Sequence, residues 1–296
     1  MARITGLDAL RGIAALMVFV SHLKVYVLGT GYIPGAGLAV DFFFMLSGFV
    51  MARTYEHRMP STAAFALLRG KRLWAPLAVG TALGLLIVGP SPMLFLALLF
   101  LPSPINGRLF PFNAPAWSLF CEIVANIVHA LILCRLSNLR LSVLLLAIAP
   151  LWAITLLDGA RAASTWAGMP EGLLRVGVAY IIGILIYRTF GDTPPLRIHP
   201  AITLALLPIA AAMPVVTSPL IVLIVFPLAM FGGMTYAPRW GSLMGRYSYP
   251  LYAVHYPIMR MGLSIPATLA LILAATILAD WASRLKGLPG MARSAA

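Results

Sequence analysis

Long apolar stretches and short basic connections alternate along the chain. A helix crossing the ~30 Å hydrocarbon core of a bilayer needs roughly 17–25 mostly apolar residues. Such stretches lie at about 10–27, 35–52, 73–90, 115–134, 141–158, 171–188, 200–213, 219–234, 247–263 and 266–282. About ten transmembrane helices are therefore predicted. The apolar segment Met93–Leu101 is too short to cross and reads as a re-entrant or interfacial piece. None of the stretches alternates with period two, which excludes a closed barrel. Helices remain as the structure that satisfies its own backbone in lipid. The expected fold class is an all-α polytopic membrane protein, read as one integral membrane domain over residues 1–296. The first apolar run ends in Ser21-His22-Leu23-Lys24 without a small-x-small cleavage site, so it is expected to stay as the first span.

Composition supports this reading. Of 296 residues, 61% are hydrophobic and 10% charged, against about 25% charged in an ordinary soluble domain. The formal net charge of +13 arises from 21 Lys and Arg against 8 Asp and Glu. In a soluble protein that excess raises nucleic acid as a partner; in a membrane protein it reads as basic cytoplasmic loops, and no nucleic acid is expected. With the N-terminus inside, the inner loops hold Arg53, Arg58, Arg69, Lys71, Arg72, Arg135, Arg140, Arg188, Arg197, Arg239 and Arg246, and the tail holds Lys286 and Arg293. The outer loops hold Lys24, Arg108 and Arg161. Both termini are therefore expected in the cytoplasm, provided Met93–Leu101 does not cross. Cys121 and Cys134 fall in one apolar run and read as packing residues, with no disulfide framework and no metal site expected.

Ionisable residues at membrane depth are functional candidates, because each costs at least ~2.5–3.5 kcal/mol to place near the bilayer centre. His22, Asp41, Glu122 and His255 stand out. At 1.5 Å per residue, His22 lies ~18 Å from the inner end of the first span, Asp41 ~9 Å and Glu122 ~11 Å below the outer ends of theirs. In a ~30 Å core those depths nearly coincide, with His255 ~12 Å from the inner side. The spacing predicts a shared buried site; the plain alternative is four separate helix contacts.

Faces sharpen the picture. Arg11 and His22 are eleven residues apart, close to three turns, so they share one face of the first helix, with Asp8 near it. Ser118, Glu122 and Asn126 form a polar stripe at i, i+4, i+8. Ser248, Tyr252 and His255 form another at i, i+4, i+7. A polar stripe on a membrane helix faces protein or water, and interhelical hydrogen bonding is its simplest use. The stretch "LLRGKRLW" places Arg69, Lys71 and Arg72 at the cytoplasmic start of the third span, near the level of Arg11. The cluster reads as topology anchoring or as an anion site, since guanidinium and ammonium groups suit phosphates.

Several stretches together resemble the membrane acyltransferase 3 family, which O-acylates sugars and related acceptors at bacterial envelopes. "LDALRGIAALMVFVSH" is similar to its first-helix signature, and "AVDFFFMLSGFVMAR" to its second-helix segment with Asp41 and Ser47-Gly48. "RGKRLWAP" resembles its basic start of the third helix, "WSLFCEI" its Trp-Ser-Leu-x-x-Glu segment, and "GRYSYPLYAVHYPI" its late Ser-Tyr…His helix. The resemblance covers most of the chain, and the motifs stand in the family's order.

That resemblance implies an acyl-CoA donor, acetyl-CoA foremost, a hydroxyl acceptor on a glycan or lipid-linked sugar, and a place in the bacterial inner membrane. Arg69, Lys71 and Arg72, with Arg11, are expected to hold the phosphates of CoA. His22 is the expected catalytic base, since an imidazole with an ordinary pKa of about 6.5 suits that task. Asp41 or Glu122 is expected to orient it as a triad carboxylate does. Trp117, Ser118, Tyr252 and His255 are expected at the substrate. An acyl-histidine intermediate and direct transfer both stay open. The rival reading is a proton-coupled transporter or flippase of an envelope precursor, which intramembrane acids and histidines suit equally well. Against it, the sequence holds no inverted repeat or paired broken helices. His57, His129 and His199 read as structural or solvated; Arg108 and Asn113, in the outer loop before Trp117, read as plain surface residues, with contact to a sugar as the alternative.

Overall fold

The computed structural model describes residues 3–57, 61–105, 107–157 and 163–285, with no side-chain description for residues 62, 63, 65, 66, 69, 71, 72, 157 and 285. Arg58, Arg161, Lys286 and Arg293, used above to set sidedness, lie outside the described residues. Among those described there is no β-strand, only an isolated bridge between Arg108 and Thr165.

The helices in order are α1 (Thr5–Tyr26), α2 (Leu38–Tyr55), α3 (Thr62–Val88), α4 (Met93–Leu98), α5 (Ala116–Leu131), α6 (Asn138–Leu157), α7 (Met169–Phe190) and α8 (Pro200–Ala212). Then α9 (Ser218–Leu220) runs through a π-helical turn (Ile221–Val225) into α10 (Phe226–Thr235), followed by α11 (Gly241–Met259) and α12 (Ile265–Leu285). Every one of the ten apolar stretches falls on helix. Among the described residues seven helical segments are long and apolar enough to cross a membrane, and Leu73–Val88 and Pro200–Ala212 are shorter apolar helices. The chain is thus a multi-pass helical membrane protein. Helix α11 stands outside the seven: Arg246, Ser248, Tyr252 and His255 interrupt its apolar character. Six residues of α4 rise only ~9 Å, and the segment lies against α3, where the Trp74 indole donates to the Leu98 carbonyl at 3.0 Å.

Two close helix pairs organise the bundle, α1 on α11 and α2 on α7. Between α2 and α7 the backbones nearly touch. A Cβ on Gly48 would collide with the Tyr180 carbonyl oxygen, and one on Gly183 with that of Met45. Small residues permit this approach in membranes, where apolar burial alone does not drive helices together. Ion pairs bind the same two helices at both ends: Asp41 to Arg175 at 2.6 Å, and Glu56 to Arg188 at 2.7 Å. Arg188 also donates to the carbonyls of Leu133 and Leu136, in the turn just past α5. His129, fully buried, lies 3.4 Å from the Glu56 carboxylate and belongs to this structural knot.

Helix α11 sits among α1, α3 and α12 and carries two internal prolines, Pro250 and Pro257. A proline removes the N–H that its i−4 carbonyl would accept. For Pro257 that carbonyl belongs to Ala253, and Asn113 Nδ2 donates to it at 2.8 Å. The outer-loop reading of Asn113 is corrected here: the residue is buried at 2% exposure and completes a broken helix. Its neighbour in that reading, Arg108, is exposed as expected.

Candidate active site

Two cavities enter the bundle and meet at Val40 and Tyr252, which line both. One, of about 360 Å³, is walled by the first turns of α1 and the second half of α2. The other, of about 520 Å³, is walled by the second half of α1 and the start of α2. Arg11 lines the first and His22 the second. The three turns between them on α1 therefore connect two chambers.

In the arginine cavity, Arg11 Nη2 donates to Asp8 Oδ1 at 2.7 Å and to the Gly245 carbonyl at 2.9 Å. Arg3 also pairs with Asp8. Glu122 lines the same wall and accepts from the Ser47 hydroxyl at 3.1 Å. The stripe on α5 is shared out among three neighbouring helices. Ser118 lies 2.9 Å from the Tyr252 hydroxyl of α11, Glu122 meets Ser47 of α2, and Asn126 accepts from Tyr180 of α7 at 2.9 Å. Tyr252 and Ser118 both reach the Pro115 carbonyl, at 3.3 and 3.0 Å. This polar knot stands where the chambers join.

In the histidine cavity, His22 Nδ1 lies 2.8 Å from His255 Nε2, and His255 Nδ1 lies 3.1 Å from the Leu251 carbonyl. A carbonyl only accepts, so His255 carries its proton on Nδ1. For neutral rings this leaves Nε2 of His255 as the acceptor and places the His22 proton on Nδ1. The lone pair of His22 then sits on Nε2. His255 is buried at 1% exposure on α11, 233 residues from its partner. The rings of Tyr26, Tyr32 and Tyr256 stand edge-on to His22 at centroid distances of 5.9, 6.2 and 5.6 Å.

The carboxylate expected beside His22 is replaced by this second imidazole. Asp41, fully buried, instead takes Arg175 Nε at 3.1 Å and Nη2 at 2.6 Å. Glu122 lies on the other chamber. The similar depths of His22, Asp41 and Glu122 thus do not make one constellation. Trp117 lines the histidine cavity, with the Arg175 guanidinium 6.0 Å from its ring centroid. Arg175 escaped the sequence reading, although an arginine inside an apolar stretch carries the same signal that marked Asp41. Arg69, Lys71 and Arg72 belong to α3, and their side chains lie outside the described residues. Among the described residues no group of three His, Cys, Asp or Glu side chains is placed to hold a metal ion.

The family model described as "Acyltransferase domain" matches residues 4–283. Two curated proteins are similar to the chain. "Exopolysaccharide production protein ExoZ" of Rhizobium meliloti (strain 1021) is 28% identical over 273 residues, covering 81% of this chain and 84% of that protein. "Protein 2 in picA locus" of Rhizobium radiobacter is 37% identical over 155 residues, covering 42% of this chain and 79% of that protein. No solved structure matches.

Proposed function

Since the chain belongs to the acyltransferase 3 family and is an O-acyltransferase, we propose that it moves an acyl group, acetyl foremost, from cytoplasmic acyl-CoA to a hydroxyl of an envelope exopolysaccharide or its lipid-linked precursor. The name of the exopolysaccharide-production relative supports the choice of acceptor. Family membership favours this chemistry over proton-coupled transport. The basic bias of the loops supports cytoplasmic termini in the bacterial inner membrane, with the arginine cavity opening inward and the histidine cavity outward.

CoA phosphates bind at Arg69, Lys71 and Arg72, with Arg11 at the mouth of the inward chamber. The pantetheine arm passes Ser118 and Tyr252 and brings the thioester to His22. Nε2 of His22 takes the acceptor hydroxyl proton as the oxygen attacks the thioester carbonyl. The tetrahedral adduct collapses, the C–S bond breaks, and the proton held on His22 passes to the departing thiolate. His255 holds the ring in the tautomer that leaves Nε2 unprotonated and accepts from Nδ1–H as the ring becomes cationic. That role falls to a carboxylate in a hydrolase triad. Asp41 serves through Arg175, as a positioning residue, and Glu122 acts on the donor side through Ser47.

The observation that carries this reading is the His22–His255 pair, set in a chamber that adjoins the Arg11 chamber at Tyr252. Its test is purified protein in lipid nanodiscs with labelled acetyl-CoA and a bacterial exopolysaccharide. Alkali-labile label on the glycan is expected. Label that stays wholly on CoA, with succinyl-CoA giving the same result, would overturn it.

A further inference from the structure

The histidine cavity holds more positive charge than the transfer step uses. Arg108 and Arg175 both line it, and among the described residues no Asp or Glu does. Two acids lie outside the wall near Arg175: Asp41, already engaged with it, and buried Glu171, one turn before it on α7. Arg175 spends Nε and Nη2 on that carboxylate, and Nη2 again on the Gly37 carbonyl at 3.2 Å. Its Nη1 makes no hydrogen bond among the described residues, and 16% of the side chain remains exposed. A buried guanidinium, fixed along one edge by Asp41, thus keeps two N–H groups for something else. The exposed Arg108 side chain makes no ion pair among the described residues. A third cation, Arg260, stands 5.7 Å from the ring centroid of Tyr256, itself part of the cavity wall. Positive charge lining a cavity attracts an anion, and a preset guanidinium is well suited to carboxylate or phosphate oxygens. The flat faces of Tyr32 and Trp117, also on the wall, suit the apolar faces of sugar rings.

We propose that this cavity selects acidic acceptors. A carboxylate or phosphate on the acceptor binds at Arg108 and Nη1 of Arg175 while a nearby hydroxyl meets His22. This rests on the transferase reading above and adds the chemical class of its acceptor. The donor's own phosphates do not account for these arginines, because they stay at the far end of the passage.

The test compares three acceptors with purified protein in nanodiscs and labelled acetyl-CoA. They are a glucuronate-containing oligosaccharide, the same oligosaccharide with its carboxyls reduced to alcohols, and a neutral sugar on a polyprenyl diphosphate. One charge-assisted contact gives about tenfold or more, so kcat/KM is expected to favour an anionic acceptor over the carboxyl-reduced one by at least that factor. Preference for the glucuronate identifies a sugar carboxylate as the anion, and preference for the polyprenyl compound identifies the carrier diphosphate. Arg108→Gln is expected to bring the ratio toward one, mainly through KM, and raised salt to do the same in wild type. Equal use of all three acceptors, or better use of the neutral oligosaccharide, overturns the acidic-acceptor inference and leaves the transferase reading standing. Loss of transfer to every acceptor overturns both.

Discussion

His22 and His255 are joined ring to ring, Nδ1 to Nε2 at 2.8 Å, and the Leu251 carbonyl at 3.1 Å fixes the direction of that bond. A carboxylate partner attracts the proton of a base. A neutral imidazole partner only orients it, so the pair depends on geometry more than on charge. In the proposed reaction the base needs an unprotonated nitrogen, and for neutral rings the tautomer chain leaves one on His22.

His255→Ala should therefore lower kcat for acyl transfer while leaving KM for acetyl-CoA near the wild-type value. The loss falls within the range of roughly 10²–10⁴ that a positioned base supplies. His255→Gln, whose side-chain oxygen can accept from His22 Nδ1, should recover part of it. Steady-state kinetics on the three proteins decides this. Equal loss in both variants would mean that His255 packs and does not position.

The buried pair of Asp41 and Arg175 should show strong coupling. Removing one partner of such a pair costs about 3–5 kcal/mol, because the other charge is left in a dry place. Asp41→Leu and Arg175→Met should each lower the unfolding temperature in detergent sharply. The double variant should lose less than the sum of the two. Additive losses would show that the two side chains do not support one another.

Asn113 and Pro257 offer a compensation test. Asn113→Ala leaves the Ala253 carbonyl without its donor and should destabilise the protein by about 1–3 kcal/mol. Pro257→Ala returns a backbone N–H to that carbonyl. In the double variant part of the lost thermal stability should return. A Pro257→Ala change that deepens the defect would contradict the assignment.

The ten apolar stretches were legible because burial in lipid demands continuous hydrophobic runs, and each run became helix. The ruler from Arg11 to His22 was legible because it lies within one helix, where spacing alone fixes the face. The partner of His22 was not, because nothing local links α1 to a residue 233 positions later. Depth was a poor guide to company: Asp41 and Glu122 lie at similar levels, yet Asp41 pairs with Arg175 of α7 and Glu122 meets Ser47 beside the arginine cavity, since depth does not say toward which helix a side chain points. Arg175 stands inside the 171–188 stretch, where its charge carries the same signal as that of Asp41, and what it pairs with depends on α2, far away in the chain. The π-helical turn at Ile221–Val225 carries no sequence signal beyond nearby prolines. Asn113 was misread because its demand comes from Pro257, in a helix that follows far along the chain.

The proposed acyl-CoA site can be probed through binding. Arg69→Ala and Arg72→Ala should each weaken acetyl-CoA binding by at least several-fold, read by equilibrium binding of labelled acetyl-CoA. Phosphate contacts by cationic side chains are charge-assisted, and raised salt should weaken binding to wild type most. Unchanged affinity in both variants would leave these residues as topology anchors.

The central claim is that His22 is the base. The most direct measurement is transfer of labelled acetyl from acetyl-CoA to an exopolysaccharide by His22→Ala in nanodiscs, beside wild type. A monodisperse size-exclusion profile and wild-type acetyl-CoA affinity establish that the variant is folded. The account predicts retained donor binding with transfer reduced by about 10²-fold or more. Turnover at the wild-type rate by the folded variant would contradict it.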